Sequence, residues 1–226
     1  MFLDAEVQRY DRYVATRPVF EAGIKIRTCD DLLWTISGTM QNVLENSESL
    51  QQDIYRGGLR TDLKFMPDNY WESEATYELQ GYSDNNLRQA GELRNRLQLT
   101  PDPRRFSLLV DFYYWNFAHP SEFSPGGDPF LNMTHPYWTP MNYAMPGAGV
   151  EWKQWLSWDR FDGADHCWVS FSAMKRWDSQ NQNYIVYRGM LVWDITRRLS
   201  GYATGEYTDG APYRGTGAHG GLARKF

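Results

Sequence analysis

The sequence predicts an all-β protein, an antiparallel up-and-down transmembrane β-barrel of about 10–12 strands. Three observations predict it. Segments of about 10–14 residues alternate by period two, which gives each strand two unlike faces. The apolar side of these segments collects Trp and Tyr near its ends. The polar side carries charges whose sign alternates from one segment to the next.

Residues 1–16 read as an N-terminal linker or partial strand, with 4–14 fitting either a short helix or a first strand. Residues 17–226 read as the barrel. In DLLWTISGTM, Leu32, Trp34, Ile36 and Met40 share one side, and Leu33, Thr35, Ser37 and Thr39 the other. IYRGGLRTDLKF sets Tyr55, Leu59, Leu63 and Phe65 against Arg56, Arg60, Asp62 and Lys64. WESEATYELQG opposes Trp71, Ala75, Tyr77 and Leu79 to Glu72, Glu74 and Glu78. GELRNRLQL opposes Leu93 and Leu97 to Glu92, Arg94 and Arg96. Later, Val169, Phe171, Ala173 and Trp177 face away from Ser170, Ser172 and Arg176, and Tyr187, Leu191 and Trp193 away from Arg188. About eleven segments emerge, and closure of a bacterial barrel favours 10 or 12. Clusters such as Pro67-Asp68-Asn69, Ser83 to Asn86 and Asp178 to Asn183 supply the hairpin turns, since these residues preset or tolerate turn dihedrals. One long loop is predicted over 119–146.

Composition narrows the function. With 23 Lys+Arg against 28 Asp+Glu the net charge is −5, which argues against a nucleic-acid partner. Two cysteines exclude a disulfide scaffold and a Cys-rich zinc domain. No apolar run approaches the roughly 20 residues of a spanning helix. The mean hydropathy is negative although 16% of residues are aromatic, including 10 Trp and 15 Tyr. A barrel that shows lipid one face and water the other accounts for both facts. The competing architecture is a soluble, Trp-rich β-sandwich that binds carbohydrate. Strand length favours the membrane: soluble strands average about 5–6 residues and membrane strands about 9–11.

The last strand, GAHGGLARKF, ends on Phe226 with Leu222, Gly220 and Ala218 on the same alternating face. It resembles the terminal strand of bacterial outer-membrane barrels, in which a final Phe serves as an assembly signal, and it departs from that pattern at Arg224. QGYSDNNLRQAGELRNRLQL, THPYWTPMNYAMPGAGVEWKQWLS and YTDGAPYRGTGAHGGLARKF resemble segments of the C-terminal barrel of tetratricopeptide-repeat exopolysaccharide export porins, the cellulose and poly-N-acetylglucosamine exporters and their relatives. That resemblance implies an outer-membrane location in a Gram-negative bacterium, export or passage of an exopolysaccharide, and a role in biofilm. It implies as partners the bilayer and its lipopolysaccharide, the barrel-assembly machinery, the polysaccharide, and a periplasmic helical-repeat or synthase partner. Those exporters close about sixteen strands and carry helical repeats and a signal peptide ahead of the barrel. Neither segment is in this sequence, so the chain reads as a smaller barrel or as the C-terminal part of a larger reading frame.

No catalytic constellation, metal-ligand spacing or cofactor motif emerges, and the chain is expected not to be an enzyme. His119, His135, His166 and His219 lack partners at ligand spacing. Glu72, Glu74 and Glu78 recur at period two like the rest of their strand, which fits a wall better than a carboxylate pair for glycoside cleavage. The expected lumen lining is Arg56, Arg60, Asp62, Lys64, Glu72, Glu74, Glu78, Glu92, Arg94, Arg96 and Arg188. A wall of mixed sign suits a hydrophilic polymer, whereas an ion-selective pore shows rings of one sign. In the long loop, Phe123, Phe130, Tyr137, Trp138 and Tyr143 are expected as a plug or as a sugar-stacking surface. A barrel that only anchors a partner is a further alternative.

Overall fold

A computed structural model describes residues 2–9, 16–43, 54–120, 139–156, 167–196, 199–210 and 214–224. These residues contain strands and turns and no helix. Twelve strands occur among them: β1 (Phe2–Arg9), β2 (Thr16–Cys29), β3 (Leu32–Asn42), β4 (Tyr55–Phe65), β5 (Trp71–Tyr82), β6 (Leu87–Gln98), β7 (Arg104–Phe117), β8 (Tyr143–Trp155), β9 (Trp168–Trp177), β10 (Asn183–Thr196), β11 (Leu199–Asp209) and β12 (Gly215–Arg224). They form one sheet whose spatial order is the chain order, the up-and-down meander that the sequence predicts. The even count agrees with it too. Most strands are 10–14 residues long, the class needed for a tilted crossing of a bilayer.

Of the readings open for the N-terminal residues, the strand is the one found: they supply β1, paired with β2 from Phe2↔Gly23 to Arg9↔Thr16. One segment differs from expectation. The long loop is shorter than 119–146, because β8 starts at Tyr143 and runs through Met145 and Pro146. Alternating residues continue the strand there, and Pro146 is tolerated at its start.

The turns follow the sequence signals. Asp68 Oδ1 accepts from the amides of Tyr70 and Trp71 at 2.7 and 2.8 Å, closing the β4–β5 connection. Asp178 Oδ1 accepts from Gln180 and Gln182 in the β9–β10 turn. Asn85 and Asn181 take positive φ of 67° and 63°, a conformation that Asn visits more readily than most residues.

Two compact units divide the chain. The first comprises Met1–Met66, Glu74–Leu93 and Tyr113–Ala144; the second comprises Pro67–Ser73, Arg94–Phe112 and Met145–Phe226. In the first, register holds Ile24 opposite Ile36 and Ser37 opposite Arg60, so each face stays chemically uniform across β2, β3 and β4. In the second, Trp152 stacks on Phe171 and Tyr187 on Tyr207, at centroid distances of 6.0 and 6.3 Å, as cross-strand pairs of the apolar face.

Burial is inverted relative to a water-soluble sandwich. Leu222, Leu59 and Phe171, on the apolar faces, are 68%, 63% and 57% exposed, whereas Ser107 and Asp111, on the polar face, are 0% and 5% exposed. Trp34, Trp71, Trp152 and Trp177 are likewise exposed, each near a strand end. A sandwich would bury these side chains against a second sheet.

Candidate functional site

The site is the polar face itself, described in each unit separately. In the first unit, parity puts Arg56, Gly58, Arg60, Asp62 and Lys64 of β4 on one side, opposite Gln41, Thr39, Ser37, Thr35 and Leu33 of β3. Arg60 Nη2 lies 2.8 Å from Asp62 Oδ1, and its Nη1 reaches Glu78 at 3.4 Å. Glu78 also faces Arg88 at 3.4 Å, and Arg88 donates to Gln80 at 3.1 Å. Lys64 pairs Glu74 at 2.8 Å, while Thr76 Oγ1 donates to Asp62 at 2.7 Å. Arg56 donates to the Tyr82 hydroxyl at 3.3 Å. Asp62 and Glu78 are thus each shared between two partners. Partly buried charges stay ionised most readily when paired and hydrogen-bonded. Gly58 makes room for the wall: a Cβ there would collide with the backbone of Leu79 and Gln80.

The same unit changes character toward the ends of β3, β5 and β7. Val43, Ile54, Tyr82 and Phe117 form a buried apolar cluster, with Val43 N–H donating to Ile54 C=O at 3.0 Å and the Tyr82 and Phe117 rings 5.6 Å apart. Beside it, Trp115 stacks on Tyr143 at 5.5 Å. Tyr143, expected as a loop aromatic, is therefore a buried strand residue. Phe123, Phe130, Tyr137 and Trp138, and the terminal Phe226, lie outside the described residues.

In the second unit, Arg96 bridges Glu72 at 3.3 Å and Glu151 at 3.2 Å. Arg176 Nη2 lies 2.6 Å from Asp111 Oδ2, and its Nε donates to the same oxygen at 3.1 Å. This pair joins β9 to β7 across β8, where Gly147 stands opposite Arg176. A Cβ at Gly147 would collide with Asp111 Oδ1, so only glycine lets the ions meet over that strand. Arg188 pairs Glu206 at 2.6 Å in direct cross-strand register. In the turn between β6 and β7, Asp102 accepts from Arg105 and from the Trp155 indole, at 3.2 and 3.0 Å. Burial alone would push the Asp102 carboxyl up, but these two donors outweigh it and hold the carboxyl below its ordinary range.

No protein-family model matches the chain, and no curated protein matches it. Among solved structures it is similar to a chain described as a bacterial polysaccharide outer membrane secretin, with a TM-score of 0.69 and 11% identity, over 99% of this chain and 74% of that one. The likeness is one of fold. It agrees with a long-stranded antiparallel sheet greasy on one side and charged on the other.

Arg60, Lys64 and Arg96 pair with Glu78, Glu74 and Glu72 on neighbouring segments of opposite sign, but alternation does not give the register, and a pairing of Arg60 with Glu74 is not what the structure has. Sequence reasoning misses Asp111 and Glu151, and it misses the aromatic residues on the polar face, Trp155, Trp168 and Tyr202. The signal for the last was available: they share parity with Glu151, Ser170 and Glu206.

Proposed function

We propose that the chain spans the bacterial outer membrane as a barrel through which a hydrophilic polymer, an exopolysaccharide, passes. The observation that carries this reading is the inverted burial. Exposed Leu, Phe and Trp fit a lipid boundary, and the opposite face, with its paired charges of both signs, fits a water-filled lumen. Arg56, Arg60, Asp62, Lys64, Glu72, Glu74, Glu78, Glu92, Arg94, Arg96 and Arg188 line that lumen. A wall of balanced sign repels neither a neutral nor a lightly charged sugar chain. The structural neighbour is a polysaccharide outer membrane secretin, which supports a role in polysaccharide passage; a periplasmic synthase or repeat partner is part of this proposal on the sequence resemblance alone. In this reading the wall guides cargo and the outer face meets bilayer and lipopolysaccharide.

The test is fractionation followed by reconstitution. The protein should be recovered with membranes and show heat-modifiable mobility in detergent. Vesicles containing it should release fluorescent dextran of oligosaccharide size. Recovery as a soluble chain without detergent would overturn the membrane reading. Tight vesicles with correctly folded protein would overturn passage while leaving an anchor.

A further inference from the structure

Three aromatic rings stand at one depth on the polar face of the second unit. Trp155 ends β8, Trp168 of β9 is its register partner, and the same row continues through Val192 of β10 to Tyr202 of β11. The two indoles meet edge to face with centroids 6.3 Å apart. Lys153 sets its Nζ 3.8 Å from the Trp168 ring centroid and 4.3 Å from that of Trp155. Tyr202 lies across Gly221, where a Cβ would come within 2.8 Å of the ring, and its ring meets His219 edge-on at 6.2 Å. On the same face, Arg96, Arg176 and Arg188 each hold a carboxylate, whereas Lys153 forms no ion pair among the described residues.

We propose that Trp155, Trp168, Tyr202 and Lys153 form a docking platform for acidic sugar units of the passing polymer. This rests on the passage reading. Aromatic faces carry negative charge density, and the C–H faces of a pyranose ring complement them. Trp168 and Tyr202 stand two strands apart, about 10 Å, which spaces the two rings along an extended chain. The Lys153 ammonium, held against two indole faces, has no oxygen acceptor among the described residues. A uronate carboxylate brought to Lys153 then gains a charge-assisted hydrogen bond that a neutral sugar does not. The platform therefore discriminates by charge as well as by stacking.

Calorimetric titration of the full chain, refolded in detergent, with an alginate hexamer and with cellohexaose tests this. The uronate hexamer should bind about tenfold more tightly, the worth of one hydrogen bond to a charged group. K153M should bring the two affinities together, and W168A and Y202A should weaken both by about tenfold, in line with loss of one stacking surface. Heat-modifiable mobility confirms that each variant is folded, and if W168A fails to fold, Y202L and K153M carry the test. Equal affinity of the two hexamers for the native chain, or unchanged affinity in folded Y202L, would overturn the platform. Vesicle release, measured separately, keeps the two readings apart. Release without hexamer binding removes the platform alone, and hexamer binding without release removes passage alone.

Discussion

The polar face is built differently in the two units. In the first, Arg60, Asp62, Glu78, Arg88 and Thr76 share partners beside the Lys64–Glu74 pair, and most of these side chains keep some solvent. In the second, the ions stand mostly as separate pairs, and the Arg176–Asp111 pair is the most deeply buried of them. A shared network tolerates the loss of a member because the remaining groups re-pair. A buried acid held by a single cation does not, because it is then left as a bare charge in a low dielectric.

The sharpest way to break that contrast is R176A. It strands Asp111, 5% exposed, and should cost about 3–5 kcal/mol, read as a lower temperature for loss of the heat-modifiable form. G147A should cost about 1–3 kcal/mol by overpacking, since its Cβ would displace Asp111 from the same pair. A loss in G147A that persists undiminished when Asp111 is already Ala would show that the carboxylate is not what the methyl meets. Next comes R60Q. Asp62 keeps Thr76 and Glu78 keeps Arg88, so the loss should stay near about 1 kcal/mol, and R60Q with E78Q should be non-additive by at least about 0.5 kcal/mol. R188Q, on a pair 60% and 40% exposed, should change stability by about 0–1 kcal/mol, and less in high salt. Strict additivity in the first unit, or a large effect at Arg188, would erase the distinction.

The smallest effect is set by pH. The Asp102 carboxyl is depressed in the folded chain, so its contribution is fully present above the unfolded value of about 4 and is lost as pH falls through the lower folded value. Acidification below about pH 4 should loosen the β6–β7 turn, visible as a change in tryptophan emission from Trp155. D102N should remove that transition and leave the rest of the acid profile in place.

Period two carries most of the fold. It separates Glu72, Glu74 and Glu78 from Trp71, Tyr77 and Leu79 without reference to any other strand, and neighbouring segments of opposite sign show that charges meet across strands, while the register that sets Lys64 on Glu74 and Arg60 on Glu78 is not in the alternation. Tyr143 was misread because Pro and Gly near it resemble loop chemistry, while its burial depends on Trp115, 28 positions back in the chain. The pair of Asp111 and Arg176, 65 residues apart, is illegible for a related reason: parity assigns a face but says nothing of reach across an intervening strand. Nor does alternation reveal depth. It groups Trp155 with Glu151 yet gives no hint that a lysine would sit between two indoles.

The absent side chain at Gly147 has a consequence for assembly. Because Arg176 reaches over it to Asp111, the contact fastens three strands at once, and it cannot exist until the third of them arrives. Whichever strand comes last, Asp111 has this guanidinium only when β7, β8 and β9 are all in register, so a slip of any one of the three removes the pair.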